Sequence, residues 1–375
     1  MKILILGGTG AMGTSLVKEL AARRDEVFVT TRSAGNKTKS KECNISYIQG
    51  NAHDDVFLKT LMIGERWGAV VDFMVYSTDE FKRRYLFLLD NTEHYIFLSS
   101  ARVYADSKEP ITEESPRLLD VCKDAKYLAT DEYALAKARQ EDLMRSSGYK
   151  NWTIVRPYIT YSDERLQLGV FEKENWLYRA LQGRTIVFSK DIAEHYTTMT
   201  YGGDVAKGIA MLAGNDKAKE QTFHIAGPQS MKWKDILTIY LDTIEKCTRK
   251  RPNVLWIENM DELEKFMGNH YQVHCDRLYD RRFDSGKLER VCGAEMQYTP
   301  IEDGLGMCLT RFIKEKKCFR SFALYTEAYM DKLTKEAVGV SEFRNAKHRL
   351  AYSVVRNLPF DISYTIFLLA KKLRA

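Results

Sequence analysis

Two residues four positions apart, Tyr133 and Lys137, form the clearest chemical pairing in this chain of 375 residues. They lie in Asp-Glu-Tyr-Ala-Leu-Ala-Lys-Ala-Arg-Gln (131–140), a run of strong helix formers, so the spacing predicts that both occupy one helix face. A phenol is a poor base at neutral pH, with a reference pKa of about 10, and a neighbouring ammonium favours its ionised form. Such a pair can exchange a proton with a carbinol or carbonyl oxygen. Upstream, His94-Tyr95-Ile96-Phe97-Leu98 reads as a strand that ends in Ser99-Ser100-Ala101-Arg102-Val103-Tyr104. Hydroxyls at the carboxyl end of a parallel strand lie where doubly wound sheets bind ligands.

The N-terminal segment supplies a different kind of site. Gly7-Gly8-Thr9-Gly10-Ala11-Met12-Gly13 falls between an apolar run, Lys2–Leu6, and an amphipathic one, Met12–Arg23. Glycines between strand and helix allow a tight turn and let a pyrophosphate approach the backbone, while the helix N-terminus offers unpaired N–H groups. This context predicts a dinucleotide site. The second strand commonly ends in a carboxylate that binds the adenosine ribose hydroxyls of NAD. Here it reads Val27-Phe28-Val29-Thr30-Thr31-Arg32-Ser33, with no carboxylate and with Arg32 and Ser33 placed to grip a 2′-phosphate. NADP is therefore expected as cofactor, with NAD as the alternative.

These groups need a scaffold, and the chain's rhythm describes one. Short apolar runs (2–6, 26–30, 46–49, 69–75, 94–99, 153–156 and 222–225) alternate with amphipathic segments, which predicts βα units and a parallel sheet. The fold expected is α/β, a Rossmann-type doubly wound sheet with a smaller, mainly helical substrate lobe. We place the dinucleotide domain at 1–162, returning at about 201–228, and the lobe at 163–200 and 229–318. Seven prolines and 22 glycines exclude low-complexity and collagen-like classes. The seven cysteines are scattered with no C-x-x-C, so neither a disulfide framework nor a zinc ribbon is expected. With no apolar stretch of spanning length and no leader pattern after Met1, we expect a cytoplasmic protein.

The net charge of +6 is unevenly spread, because residues 319–375 hold 10 Lys/Arg against 5 Asp/Glu. A near-neutral body offers little to nucleic acid. The basic extension ends in an apolar segment, 358–370, followed by Lys371-Lys372-Leu373-Arg374. We expect it to pack on the protein itself or a second subunit, in preference to lying on a membrane surface. His270 and His274 have the i, i+4 spacing of metal ligands, with Cys275 beside them, but no further ligand stands at recognisable spacing. No metal site is expected.

Taken in order, the motifs resemble the extended short-chain dehydrogenase/reductase family, the NAD(P)-dependent nucleotide-sugar epimerases, dehydratases and reductases. The matching stretches are Gly7–Gly13, Ser99–Tyr104, Pro110-Ile111-Thr112-Glu113, Tyr133 to Lys137, Val155-Arg156-Pro157, Asp204-Val205-Ala206 and Phe223-His224-Ile225-Ala226-Gly227. The resemblance covers about residues 1–310. It implies Ser100 as the hydroxyl that positions the substrate oxygen, Tyr133 as acid/base, and Lys137 as the group that holds the nicotinamide ribose. It further implies cofactor contacts from Gly7, Thr9, Gly10, Ala11, Met12, Gly13, Asn51, Tyr76 and Pro157, substrate contacts from Ser100, Ala101 and Arg102, a nucleotide-sugar substrate and a homodimer.

Departures from the family pattern bear on the reaction. The 4,6-dehydratases of the family carry acidic residues just after the active-site hydroxyl, where this chain has Ala101 and Arg102, so dehydration is disfavoured. Small alanines follow the fourth strand in the family, and Val75-Tyr76-Ser77-Thr78 stands here. The usual diphosphate-binding Arg falls near Tyr196-Thr197, leaving Arg165, Arg179, Arg184 or Lys190 as replacements. The expectation is reduction of a keto group on an activated sugar made for surface polysaccharide. Epimerisation with a retained cofactor is the alternative, and a non-catalytic dinucleotide-sensing or RNA-binding relative is the alternative of another class.

Overall fold

The apolar runs pair side by side into one seven-stranded parallel sheet. In chain order its strands are β1 (Lys2–Leu6), β2 (Glu26–Thr31), β3 (Ile45–Gln49), β4 (Ala69–Asp72), β5 (Tyr95–Leu98), β6 (Trp152–Pro157) and β7 (Gln221–Ile225). Across the sheet the order is β7-β6-β5-β4-β1-β2-β3, every neighbouring pair parallel. Five helices fill the crossovers that matter here: α1 (Gly13–Ala22), α2 (Asp55–Ile63), α3 (Thr78–Asp90), α4 (Tyr133–Arg145) and α5 (Gly202–Leu212). The computed structural model describes residues 1–32 and 44–372. This is the doubly wound α/β architecture that the rhythm predicts.

The central strands β1, β4 and β5 are apolar on both faces because helices cover both. Successive side chains alternate sides, so Ile3 and Ile5 of β1 join Leu16 and Leu20 of α1 and Ile209 and Leu212 of α5 in one core. Leu4 and Leu6 face the other way, with Leu58 of α2, Phe81 and Leu88 of α3 and Met144 of α4. Most strand boundaries lie within one residue of the expectation, and the fourth strand differs by more. The fourth strand stops at Asp72, short of Val75, because Phe73 N–H donates to the Leu6 carbonyl at 3.0 Å and Met74 N–H to the Asp72 carboxylate at 2.9 Å, which turns the chain.

The chain divides into two units. The first holds Met1–Glu164, Thr198–Ser230 and Arg281–Gly304; the second holds Arg165–Thr197, Met231–Asp280 and the chain from Leu305 on. Residues 281–304, expected in the lobe, thus belong to the sheet-bearing unit. There Ile111 pairs with Phe283, and Leu288 and Met296 join the core beside α5.

The second unit is mainly helical, with the long helix Trp233–Thr248 and a small parallel pairing of Ile186–Ser189 with Val254–Ile257. The basic extension is part of it. Helix Leu324–Thr334 buries Leu324, Ala328 and Met330, and its acidic side chains Glu327 and Asp331 close on the buried Arg179 guanidinium at 2.6 Å each. The last helix, Phe360–Lys372, sets Phe360, Tyr364 and Phe367 against Phe266. Among the described residues no helix is long and apolar enough to cross a membrane.

Candidate active site

The glycine loop leaves β1 through Gly7, whose φ of +75° is a left-handed conformation that L side chains rarely adopt. Its N–H donates to the Thr30 hydroxyl at 3.1 Å, which ties the loop to β2. Gly13 opens α1 so close to the strand that a Cβ there would lie 2.6 Å from the Gly8 carbonyl group, whereas one on Gly10 would meet nothing within 4 Å. Among the described residues no side chain caps α1 and no carboxylate occupies its first turn, so, apart from the Thr14 N–H that bonds the Gly10 carbonyl at 3.2 Å, its leading N–H groups and positive dipole end are left for an anion. These features fit a dinucleotide pyrophosphate.

Around this loop, Thr9, Ala11 and Met12 complete the turn into α1. Arg32 is exposed at the end of β2, Asn51 is exposed just beyond β3, and Pro157 is buried as the last residue of β6. Ser33 lies outside the described residues. The Tyr76 ring is buried and its hydroxyl donates to Asp72 at 3.0 Å, because the buried carboxylate at the end of β4 draws in the nearest donors; Tyr95 supplies a second at 2.7 Å. The proton of the Tyr76 hydroxyl is therefore engaged by Asp72.

Helix α4 carries the Tyr–Lys pair. Its N-cap is Glu132, whose side chain accepts the Ala134 N–H at 2.8 Å and the Arg102 guanidinium at 2.6 Å. Arg102 in turn lies 5.3 Å over the Tyr133 ring, so the half-buried phenol is placed by its helix and by a cation on its face. One turn later Lys137 is buried, and its ammonium donates to the Leu98 carbonyl at 2.7 Å. Burial pushes this ammonium down to about 8, against Asp72 and Glu141, whose charges favour the protonated form.

The two serines after β5 have separate tasks. Ser99 donates to Glu141 at 2.6 Å, and Glu141 is also gripped by Arg156 through two bonds of 2.8 and 2.5 Å. The Arg156 guanidinium and the serine hydrogen bond hold the Glu141 carboxyl low despite its burial. Ser100 accepts the Arg102 N–H at 3.2 Å, and among the described residues nothing accepts its hydroxyl proton. Ser100 is thus the hydroxyl that remains for a ligand. Ala101 is buried behind it.

The structure therefore brings Ser100, Arg102, Tyr133 and Lys137 together with the glycine loop in the first unit. Arg165 and Tyr196 belong to the second unit, where Arg165 pairs with Glu172 at 3.0 Å and Tyr196 N–H donates to Asp280 at 3.0 Å. Arg179 and Arg184 are corrected as diphosphate ligands: both are buried against Glu327 and Asp331. Lys190 pairs with Glu258. Sequence reasoning missed Glu132 and Glu141. The signal was present, since Glu141 continues the i, i+4 series of Tyr133 and Lys137 along a face that the core covers.

A family model described as NAD(P)H-binding matches residues 7–194, half of the chain. The chain belongs to that NAD(P)H-binding family. It is 26% identical over 239 residues to the chloroplast stem-loop binding protein of 41 kDa b from Arabidopsis thaliana, covering 60% of this chain and 58% of that protein. The chain thus spans little more than half the length of this relative. A 2′-dehydrokanamycin reductase from Streptomyces kanamyceticus is 22% identical over 300 residues, covering 78% of this chain and 79% of that one. Among solved structures, epimerase Mth375 from Methanothermobacter thermautotrophicus superposes with a TM-score of 0.65 at 17% identity, over 84% of this chain and 93% of that one.

Proposed function

We propose that the protein is an NADP-dependent oxidoreductase that reduces a keto group on a nucleotide-activated sugar. The observation that carries this reading is the constellation of Tyr133 and Lys137 on one face of α4 with Ser100 at the end of β5, in the same unit as the glycine loop. Gly7–Gly13 and the uncapped α1 N-terminus would hold the pyrophosphate, Arg32 the 2′-phosphate, and Lys137 the nicotinamide ribose. The reduced dinucleotide, when bound, supplies hydride for the carbonyl carbon.

The remaining work falls to the chain's own side chains. Ser100 donates a hydrogen bond to the carbonyl oxygen and Tyr133 gives that oxygen its hydroxyl proton, so the product is the carbinol and the phenolate is left behind. The Lys137 ammonium and the Arg102 guanidinium compensate the phenolate charge until solvent reprotonates it. Ala101 and Arg102 provide no carboxylate for dehydration. A reductase among the relatives, matched over most of its length, supports the direction of the chemistry. Epimerisation uses the same residues, and the name of the structural neighbour belongs to that class.

Single-turnover mixing with NADPH and a panel of nucleotide-linked 4-keto sugars tests the proposal. Stoichiometric loss of the reduced-nicotinamide absorbance supports the reductase. Turnover with a retained cofactor and no net absorbance change replaces it with the epimerase. If Tyr133→Phe leaves all measurable function intact, the catalytic reading fails in favour of a binding relative.

A further inference from the structure

The fold of the second unit supplies what the spacing of His270 and His274 lacks. Helix Leu263–Met267 ends at Gly268, which adopts φ +70° and closes the helix by donating its N–H to the Glu264 carbonyl at 2.7 Å. The chain then reverses into His270–Gln272 and continues as a π-helical turn over Val273–Arg277, with Leu278 N–H bonded to the Val273 carbonyl at 3.0 Å. The left-handed glycine folds the new turn back over the helix it has just left, so both imidazoles meet the Glu264 carboxylate.

His270 Nδ1 lies 2.7 Å from Glu264 Oε1, His274 Nε2 lies 3.2 Å from Glu264 Oε2, and the two rings are 4.4 Å apart between centroids. One donor atom from each of the three side chains lies within 4.8 Å of the other two. Two ligand atoms each about 2.1 Å from a tetrahedral ion stand about 3.4 Å apart, so small side-chain adjustments would close the triad on one ion.

A second feature points to a ligand. The Glu264 side chain is only 5% exposed, yet its Oε2 has no well-aligned hydrogen bond, its near neighbour being the His274 imidazole at 3.2 Å, and among the described residues no Lys or Arg pairs with it. A buried carboxylate balanced only by two partly exposed imidazoles is costly, and a cation held between the three would satisfy it. The imidazoles are 60% and 37% exposed, which gives an ion a path from solvent and leaves room for water ligands. Two nitrogens and one oxygen select a borderline transition metal over Mg²⁺ or Ca²⁺, which take oxygen donors.

We propose that Glu264, His270 and His274 form a binding site for one divalent zinc-class ion, held by three protein ligands with water completing the shell. Binding displaces the imidazole proton directed at Glu264 and pins the π-helical turn to helix Leu263–Met267. The site is independent of the dinucleotide chemistry.

The test uses the full chain, free of any affinity tag and stripped with a chelator, titrated with ZnCl2 by calorimetry while bound metal is counted by mass spectrometry. The expected result is one zinc per chain and a rise in Tm with added zinc. The His270→Ala/His274→Ala variant, which keeps all seven cysteines, should bind at least about 100-fold more weakly and lose the Tm rise. No zinc uptake by the wild type, or uptake unchanged in the double variant, overturns the proposal. Should that variant fail to fold, Co²⁺ substitution in the wild type decides: a spectrum of nitrogen and oxygen ligation supports the site, and a thiolate charge-transfer band refutes it.

Discussion

The Lys137 ammonium of α4 is held 2.7 Å from the carbonyl of Leu98, the last residue of β5, and this single bond fixes where the charge stands relative to the sheet's carboxyl edge. The two serines follow directly, so the strand that leads into Ser100 also positions the ammonium. The burial that makes the bond effective makes the charge labile, pushing it down to about 8. As pH rises through about 8 the ammonium loses its proton and, in the proposed cofactor role, its hold on the ribose hydroxyls. NADP affinity should therefore fall by up to about tenfold per pH unit above that point. Lys137→Arg, which cannot deprotonate in this range, should bind with a flat profile. Equal pH slopes for the two proteins, measured by calorimetry, would remove Lys137 from the cofactor site.

Tyr133→Phe keeps the ring beneath Arg102 and removes only the hydroxyl. A proton donor of this kind contributes about 10²–10⁴-fold. We expect kcat to fall by that factor in stopped-flow assays while the dinucleotide Kd stays within about twofold. Loss of dinucleotide binding in parallel with kcat would assign the hydroxyl to cofactor placement.

The glycine loop separates a folding requirement from a binding one. A methyl on Gly13 meets the Gly8 backbone at 2.6 Å, and neither segment has a flexible side chain to move aside. Gly13→Ala should destabilise the protein by about 1–3 kcal/mol, read by urea denaturation. A methyl on Gly10 meets only open space. Gly10→Ala should fold with unchanged stability and bind NADP at least about tenfold more weakly, because its methyl occupies space that the pyrophosphate needs.

The sheet was readable from sequence because both faces of a parallel sheet are covered at its centre, so the central strands carry apolar runs such as Ile3-Leu4-Ile5-Leu6. The Tyr–Lys pair was readable because a helix turns local spacing into proximity. Contacts made to backbone leave no such trace: nothing in the composition of 94–98 announces that the Leu98 carbonyl will anchor Lys137. The bond that ties the Tyr76 hydroxyl to the buried Asp72 was likewise not legible, because it is a tertiary circumstance. Glu264 was invisible as a partner of His270 because the reversal depends on the left-handed turn at Gly268.

His94 makes a pH prediction for the sheet-bearing unit. It is fully buried at the edge of β5, where Nδ1 accepts the Gly214 N–H at 3.1 Å and Nε2–H donates to Thr153, whose hydroxyl passes on to the Ala218 carbonyl at 2.6 Å. Both ring nitrogens are used by the neutral form, and burial pushes the imidazole down to about 4. Between about pH 6.5 and 4 the unfolded chain binds a proton there that the native chain refuses. Stability contributed by His94 is complete above this window and is lost as pH falls through it, up to about 3 kcal/mol. His94→Gln should flatten the denaturation profile between those limits, at the cost of a lower plateau.

Arg179 makes the converse case in the second unit. Its buried guanidinium donates to Glu327 and Asp331 at 2.6 Å each and to Glu336 at 2.9 Å, which joins helix Leu177–Leu181 to the basic extension. Removing one partner of a buried ion cluster costs about 3–5 kcal/mol, because the carboxylates left behind have lost their charge balance. Arg179→Met should release the chain from about residue 319 to limited proteolysis while dinucleotide binding at the glycine loop is unchanged. Burial pushes Glu327 up to about 7, so between about pH 4.5 and 7 the native chain holds a proton that the unfolded chain has given up. This contribution is complete at the acid end and disappears as pH rises through about 7, opposite in sign to that of His94. Hydrogen exchange across Leu324–Thr334 should therefore quicken, after correction for the intrinsic rate, from pH 5 to pH 8; Glu327→Gln should remove the dependence. A wild-type segment equally protected at both pH values would show that Glu327 stays ionised against Arg179 throughout.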